Sequence, residues 1–212
     1  MIRLFDYWRS SASYRVRIAL YLKNIEFEAV QVNIAPGKDE QLADAYRSVN
    51  PQMRVPSIEV DGHIVGQSMA ILEWLDETFP GQSILPSDPI NRLKARAFAD
   101  TIACDVHPLN NLSVLKELRA RFGADDDAVT DWYHEWIKRG FDALEPVAEA
   151  SSNQPFLFGG QPGIAEISLV PQIYNARRYE MDLSAYPALA ALSDRCSELP
   201  AFKKAAPANP AG

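Results

Sequence analysis

Apolar positions recur with two different periods along this chain, and the period changes near residue 80. Ile2 to Phe5 is a short apolar run that predicts a strand. Ser13 to Leu22 places Val16, Ala19, Leu20 and Lys23 at helical spacing and predicts an amphipathic helix. Phe27 to Val32 alternates and predicts a second strand, and Asp39 to Tyr46 a further helix. Two short β-like runs flank Asp61-Gly62, the dipeptide that suits a tight hairpin turn. Leu72, Leu75 and Phe79 form one stripe of a helix from Met69 to Phe79, with Ser68 as its predicted N-cap. The first eighty residues therefore read βαβαββα. No convincing strand follows. Pro80-Gly81 closes this unit, and helical patterns run over Ile90–Cys104, Pro108–Phe122, Ala128–Ser151, Ile164–Arg178 and Ala188–Leu199. The expected organisation is an α/β domain at 1–82, a linker at 83–89, and an all-helical domain at 90–212. Its last segment, Ala205–Gly212, carries two prolines and a glycine and is expected to fray.

Composition narrows the classes. A chain of 212 residues with 47% hydrophobic content suits a soluble globular protein with ample core. Its net charge of -7 argues against a general nucleic-acid or anionic-membrane surface, so any anion must be held by local arginines. Arg3 and Asp6 interrupt the N-terminus, which excludes a signal-peptide core, and no uncharged apolar run reaches membrane-spanning length. Two cysteines and three histidines make neither a disulfide framework nor a metal cluster, so no metal is expected. Cys104 and Cys196 read as small core residues. A cytoplasmic enzyme is the expectation.

The most informative stretch is Trp8 to Leu20, where a strand ends and a helix begins. Ser10 and Ser11 sit at that helix start with Arg9 and Arg15 on either side. Unpaired N–H groups and the positive dipole end favour an anion or a thiolate there, although a serine N-cap alone accounts for the same residues. Gln67-Ser68 repeats the arrangement at a second helix start. Two such sites in one small unit suit a ligand with separated anionic groups. Val55-Pro56 is a trans proline at a strand start on base rates; its other reading is a cis peptide turning Val55 toward a ligand. His107 to Ser113 is polar within a helical domain, either a pocket wall or structural polar groups. Arg177-Arg178 alone reads as a solvated helix face.

Taken together and in order, these segments resemble the zeta class of the glutathione transferases. The class signature appears as Arg9-Ser10-Ser11-Ala12-Ser13-Tyr14-Arg15-Val16-Arg17-Ile18-Ala19-Leu20. Further matches are Asn50-Pro51 with Val55-Pro56, Gln67 to Ile71, Asn111 to Leu115, Leu169 to Gln172, and Asp182 to Pro187. The resemblance runs from Ile2 to about Pro207. It implies a thioredoxin-like N-terminal domain, an all-α C-terminal domain, a homodimer, and glutathione as cofactor. It implies a cis Val55-Pro56 whose Val55 backbone pairs with glutathione. Gln67 and Ser68 would hold the γ-glutamyl carboxylate, with Gln41 and His107 at the glycyl end, and Asn111 and Ser113 would also bind glutathione. Ser10, with Ser11, would serve the thiolate, and Arg9, Asn110 and Arg178 the substrate carboxylates.

Three departures stand out. Ala12 replaces the signature cysteine, so no thiol role carries over. Gly163 and Glu166 stand where the class has Thr and Asp in a helix-capping box, which predicts a weaker cap. Leu112-Ser113 stands where maleylpyruvate isomerases have Arg-Arg. The implied activity is glutathione-dependent cis–trans isomerisation of a maleyl keto-diacid, maleylacetoacetate foremost, in aromatic amino-acid catabolism. Maleylpyruvate isomerisation, general transferase or haloacid dehalogenase activity, and a non-enzymatic glutathione-binding module are the alternatives.

Overall fold

A computed structural model describes residues 1–208 and divides the chain into two units, residues 1–83 together with residues 199 onward, and residues 84–198. In the first unit, β1 (Ile2–Asp6) lies between β2 (Phe27–Gln31) and β3 (Ser57–Val60), with β4 (His63–Gly66) beyond β3. β1 and β2 are parallel, so a crossover must join them, and α1 (Ser11–Leu22) supplies it. β3 and β4 are antiparallel and turn through Asp61 and Gly62, at φ 50° and 80°, the two positive φ values of a primed hairpin turn. The helix expected over 39–46 divides into a 3-10 turn at Glu40–Leu42 and α2 (Asp44–Arg47), because Ala43 between them is extended. α3 (Ser68–Thr78) follows β4.

α1 departs from the amphipathic expectation. It starts at Ser11, and from Ser13 through Leu20 every residue is buried, including Arg15 and Arg17. Part of the cover comes from α3, and part from residues far along the chain. Instead of fraying at Ala205, the chain forms α9 (Pro200–Ala205), in which Phe202 and Ala205 are fully buried. Arg17 Nε donates to the Ala205 carbonyl at 3.0 Å, and the Lys204 ammonium sits 4.5 Å over the Tyr21 ring. Residues from Leu199 on therefore belong with the first unit and not with the helical domain. The part of the expected frayed tail beyond residue 208 lies outside the described residues.

The second unit contains α4 (Pro89–Asp100), a π-helical turn at Thr101–Val106, α5 (Leu112–Phe122), α6 (Asp126–Ala150), α7 (Ile164–Arg178) and α8 (Pro187–Ser197). Among the described residues no strand follows β4. α5 begins four residues later than expected, because Asn111 caps it by accepting the N–H groups of Ser113 and Val114. α6 passes so close to the π turn that a Cβ on Gly140 would overlap the Val106 side chain. Cys196 is buried as expected, but Cys104 is exposed: the widened π turn carries it out of the core.

The capping box of α7 survives in altered form. Gly163 has no side chain to contribute, and a Cβ there would stand 2.6 Å from the Ile84 carbonyl. Glu166, completely buried, accepts from Gly163 N at 2.8 Å and Leu157 N at 2.6 Å. The longer carboxylate ties a second loop to the helix start. Burial outweighs these N–H bonds and pushes its carboxyl up to about 7.

Candidate active site

The sheet register decides which loops meet. Phe5 pairs with Ser57, and Ser57 with Gly66. The end of β1, the start of β3 and the end of β4 are thus neighbours at one edge of the sheet. From that edge the chain runs on to Ser10, arrives through Val55-Pro56, and departs into Gln67.

Ser10 is the N-cap of α1, and its Oγ accepts the Ser13 N–H at 3.3 Å. That bond uses a lone pair and leaves the hydroxyl proton to donate. Ser10 is half-buried while Ser11 is buried. Arg9 lies 5.4 Å over the Trp8 ring and has no carboxylate partner among the described residues. The loop bearing these groups is fixed from behind. Arg17 Nη1 meets Asp6 Oδ1 at 2.6 Å, and Nη2 donates to the Trp8 carbonyl at 2.9 Å. Arg15 donates to Ser68 Oγ at 3.4 Å, which ties the N-termini of α1 and α3 together.

Val55-Pro56 is cis. The carbonyl of Arg54 accepts from the Tyr46 hydroxyl and from Asn50 Nδ2, both at 2.8 Å, and Asn50 also donates to Ser57 Oγ at 2.9 Å. The Asn50 side chain thus holds the segment on both sides of the cis bond. Burial raises the Tyr46 phenol, so it stays a neutral donor. The N–H and C=O of Val55 itself make no hydrogen bond within the described chain. Gln67, not Ser68, occupies the cap position of α3, at φ 69° and ψ 101°. Its side chain donates to Gln52 Oε1 at 3.0 Å, and Ser68 is the first helical residue, buried against Arg15. Gln41 is buried, donates to Asp39 at 3.3 Å, and has no hydrogen-bond partner for its Oε1.

The remaining candidates are in the second unit. His107 follows the π turn and is half-buried. Asn110 is buried, donates to the Tyr133 carbonyl at 3.2 Å, and has an Oδ1 without a hydrogen-bond partner. Asn111 and Ser113 are engaged with each other in the α5 cap, and Asn111 also donates to Pro108 O. The two arginines ending α7 divide their roles. Arg177 pairs with Asp194 at 2.7 Å, while Arg178 has no carboxylate partner among the described residues and lies 4.5 Å over the Tyr179 ring.

Residues that sequence reasoning passed over hold these groups in place. Arg17 carried one signal, a charge inside an otherwise apolar helical stretch. Tyr133 carried none, since an aromatic on the apolar stripe of α6 reads as core.

Comparison with known proteins places these features. Family models described as the N-terminal and C-terminal domains of glutathione S-transferase match residues 4–83 and 130–195. A curated maleylacetoacetate isomerase of Pseudomonas aeruginosa is 41% identical, over 98% of this chain and 97% of that protein. The holo structure of a maleyl pyruvate isomerase, described as a bacterial zeta-class glutathione S-transferase, is 42% identical over 98% of both chains, with a TM-score of 0.94. A maleylacetoacetate isomerase of Methylobacterium extorquens AM1, solved with malonate and GSH bound, is 31% identical over 97% of this chain and 96% of that one, with a TM-score of 0.92.

Proposed function

This chain belongs to the glutathione S-transferase family, and from that premise we propose that it is a glutathione-dependent cis–trans isomerase acting on maleylacetoacetate. The observation that carries the reading is the sheet edge where the α1 N-terminus, the open backbone of Val55 and Gln67 converge. It fits a γ-linked tripeptide. Val55 offers a backbone donor and acceptor for a peptide, Gln67 and Ser68 stand at a helix start suited to a carboxylate, and the buried Oε1 of Gln41 awaits a donor.

Glutathione, when bound, supplies a thiolate whose reversible addition turns the alkene into a rotatable single bond. The protein's part is to hold charge. Ser10 donates its hydroxyl proton toward the sulfur, and the α1 N-terminus favours the anion electrostatically. Ser10 suits this better than Ser11, because Ser11 is buried. Arg9, and Arg178 with Asn110, bind the substrate carboxylates; a planar guanidinium matches a carboxylate in bidentate fashion. Arg178 serves rather than Arg177, whose charge Asp194 already neutralises. Gln41 and His107 remain assigned to the glycyl end of glutathione, and Asn111 and Ser113, at the start of α5, to glutathione binding.

Maleylpyruvate is the second reading, favoured by the likeness to the maleyl pyruvate isomerase structure. Ser113 tells against it, since no arginine stands there. A role in aromatic amino-acid catabolism, a cytoplasmic location and a homodimer complete the proposal. No helix among the described residues is long and apolar enough to cross a membrane. The exposed Ile64 and Val65 on edge strand β4, and Ile90 and Leu93 on α4, are apolar surface of the kind a dimer covers. A coupled assay on both maleyl diacids, with and without glutathione, tests the reading. Glutathione-dependent turnover favouring maleylacetoacetate is expected. Turnover of a haloacid alone, or glutathione binding without turnover, would refute it.

A further inference from the structure

One turn of α6 holds both parts of the carboxylate-binding set in the second unit. Tyr133 is 2% exposed and stacks on Tyr179, with ring centroids 3.7 Å apart and planes 16° from parallel. The Arg178 guanidinium lies over the same Tyr179 ring, and its charge acts on the Tyr133 hydroxyl. The His134 ring contacts the Tyr179 carbonyl at 2.7 Å. On the other side, the Tyr133 carbonyl accepts Asn110 Nδ2 at 3.2 Å, and Trp132 Nε1 donates to the Leu109 carbonyl at 2.8 Å. Residues 132–134 thus grip Leu109-Asn110 with backbone and indole, and Arg178-Tyr179 with hydroxyl, ring and imidazole.

We propose that Tyr133 is a positioning residue that fixes Arg178 and Asn110 as one preset pair for a substrate carboxylate, and so sets the preference for a diacid over a monoacid. The inference rests on the reading of Arg178 as a carboxylate anchor. An exposed arginine loses rotamer freedom when it binds, and prior ordering by a stacked ring and a hydroxyl removes part of that cost. The phenol suits the task. Burial holds its pKa well above the ordinary range, and Arg178 opposes this only in part, so the phenol stays neutral and presents an acceptor oxygen to the guanidinium.

Tyr133→Phe removes the hydroxyl while keeping the ring stack and the carbonyl that holds Asn110. Steady-state kinetics would compare the maleyl diacid with a cis-enone carrying one carboxylate, at saturating glutathione. The expected result is a threefold to tenfold rise in diacid KM, with kcat within about twofold, unchanged monoacid and glutathione KM, and an unchanged unfolding midpoint. Tyr179→Leu, which removes the platform and leaves the hydroxyl, should shift KM in the same direction. In an Arg178→Ala background, Tyr133→Phe should add nothing further. If Arg178→Ala raises diacid KM and Tyr133→Phe does not, the positioning role is overturned while the anchor stands. If neither variant alters the diacid-to-monoacid ratio, the anchor itself is wrong and both readings fall.

Discussion

Replacing Arg17 with methionine removes a charge from a buried polar network of the first unit. Methionine keeps most of the aliphatic stem, so the packing of α1 changes little. What is lost is the 2.6 Å ion pair to Asp6, the bond to the Trp8 carbonyl and the bond to the Ala205 carbonyl. Asp6 is 3% exposed, so its carboxylate is left buried without a counterion. Breaking such a pair from one side costs about 3–5 kcal/mol. In a protein of this size that lowers the unfolding midpoint by roughly 6–20 °C. The second half of the experiment separates this cause from a packing defect. Asp6→Asn combined with Arg17→Met removes both charges and should recover most of the loss, because a buried pair is worth little against neutral groups of similar shape. Urea unfolding of wild type, single and double variants gives the energies, and glutathione KM reports whether the loop bearing Ser10 has slackened. A single variant within about 1 kcal/mol of wild type would refute the reasoning, as would a double variant less stable than the single.

Ser10→Ala should raise the apparent pKa of bound glutathione thiol by roughly 1–2 units, the equivalent of one charge-assisted hydrogen bond; thiolate absorbance of the complex reads it, and an identical titration would shift the role to Ser11 or to backbone amides. Ser113→Arg should lower KM for maleylpyruvate, read by steady-state kinetics at saturating glutathione; wild-type enzyme that already prefers maleylpyruvate would contradict the substrate assignment. Arg9→Ala and Arg178→Ala should each raise diacid KM, and full diacid activity in both would return Arg178 to an ordinary solvated side chain. Glu166 makes stability fall with rising pH: its folded pKa of about 7 lies above the ordinary carboxyl value of 4.5, so the folded state binds the extra proton, and stability present below about pH 4.5 is lost as pH rises to about 7. The loss is on the order of 3 kcal/mol, and the stability difference between wild type and Glu166→Gln should change over that interval; a constant difference would show that Glu166 is not the titrating group.

What the sequence made legible was local chemistry. Asp61-Gly62 marked the hairpin because both residues tolerate the positive φ that the turn demands. The helical spacing over Ile164–Arg178 matched α7 end to end, although burial there extends beyond the apolar positions to Glu166, Ser168, Gln172 and Asn175. The same logic failed where long-range contacts decide. Six residues are too few to display a helical period, so α9 went unseen, and with it one partner of the buried Arg17. The π turn shares the apolar spacing of α4 and differs in its hydrogen bonds, so Cys104 was assigned to the wrong side. Asn111 was singled out as a candidate ligand residue but placed inside a helix from Pro108, because its capping role depends on backbone geometry. On base rates Val55-Pro56 stayed trans; the resemblance to a family, not the residues, supplied the cis bond. Tyr133 needed the fold, because its partners on α7 and before α5 are distant in sequence.

The return of the last helix to the first unit also sets an order of events at the ribosome. Residues 1–83 emerge first, yet α1 is left without part of its cover, and Arg17 without the Ala205 carbonyl, until the end of the chain has been synthesised. At about 5–20 residues per second, the intervening helical unit takes roughly 6–25 s to translate. Through that interval the nascent glutathione half exposes one flank of its central helix, while the later-made helical unit can close on its own residues. The half that is made first is therefore the half that is finished last.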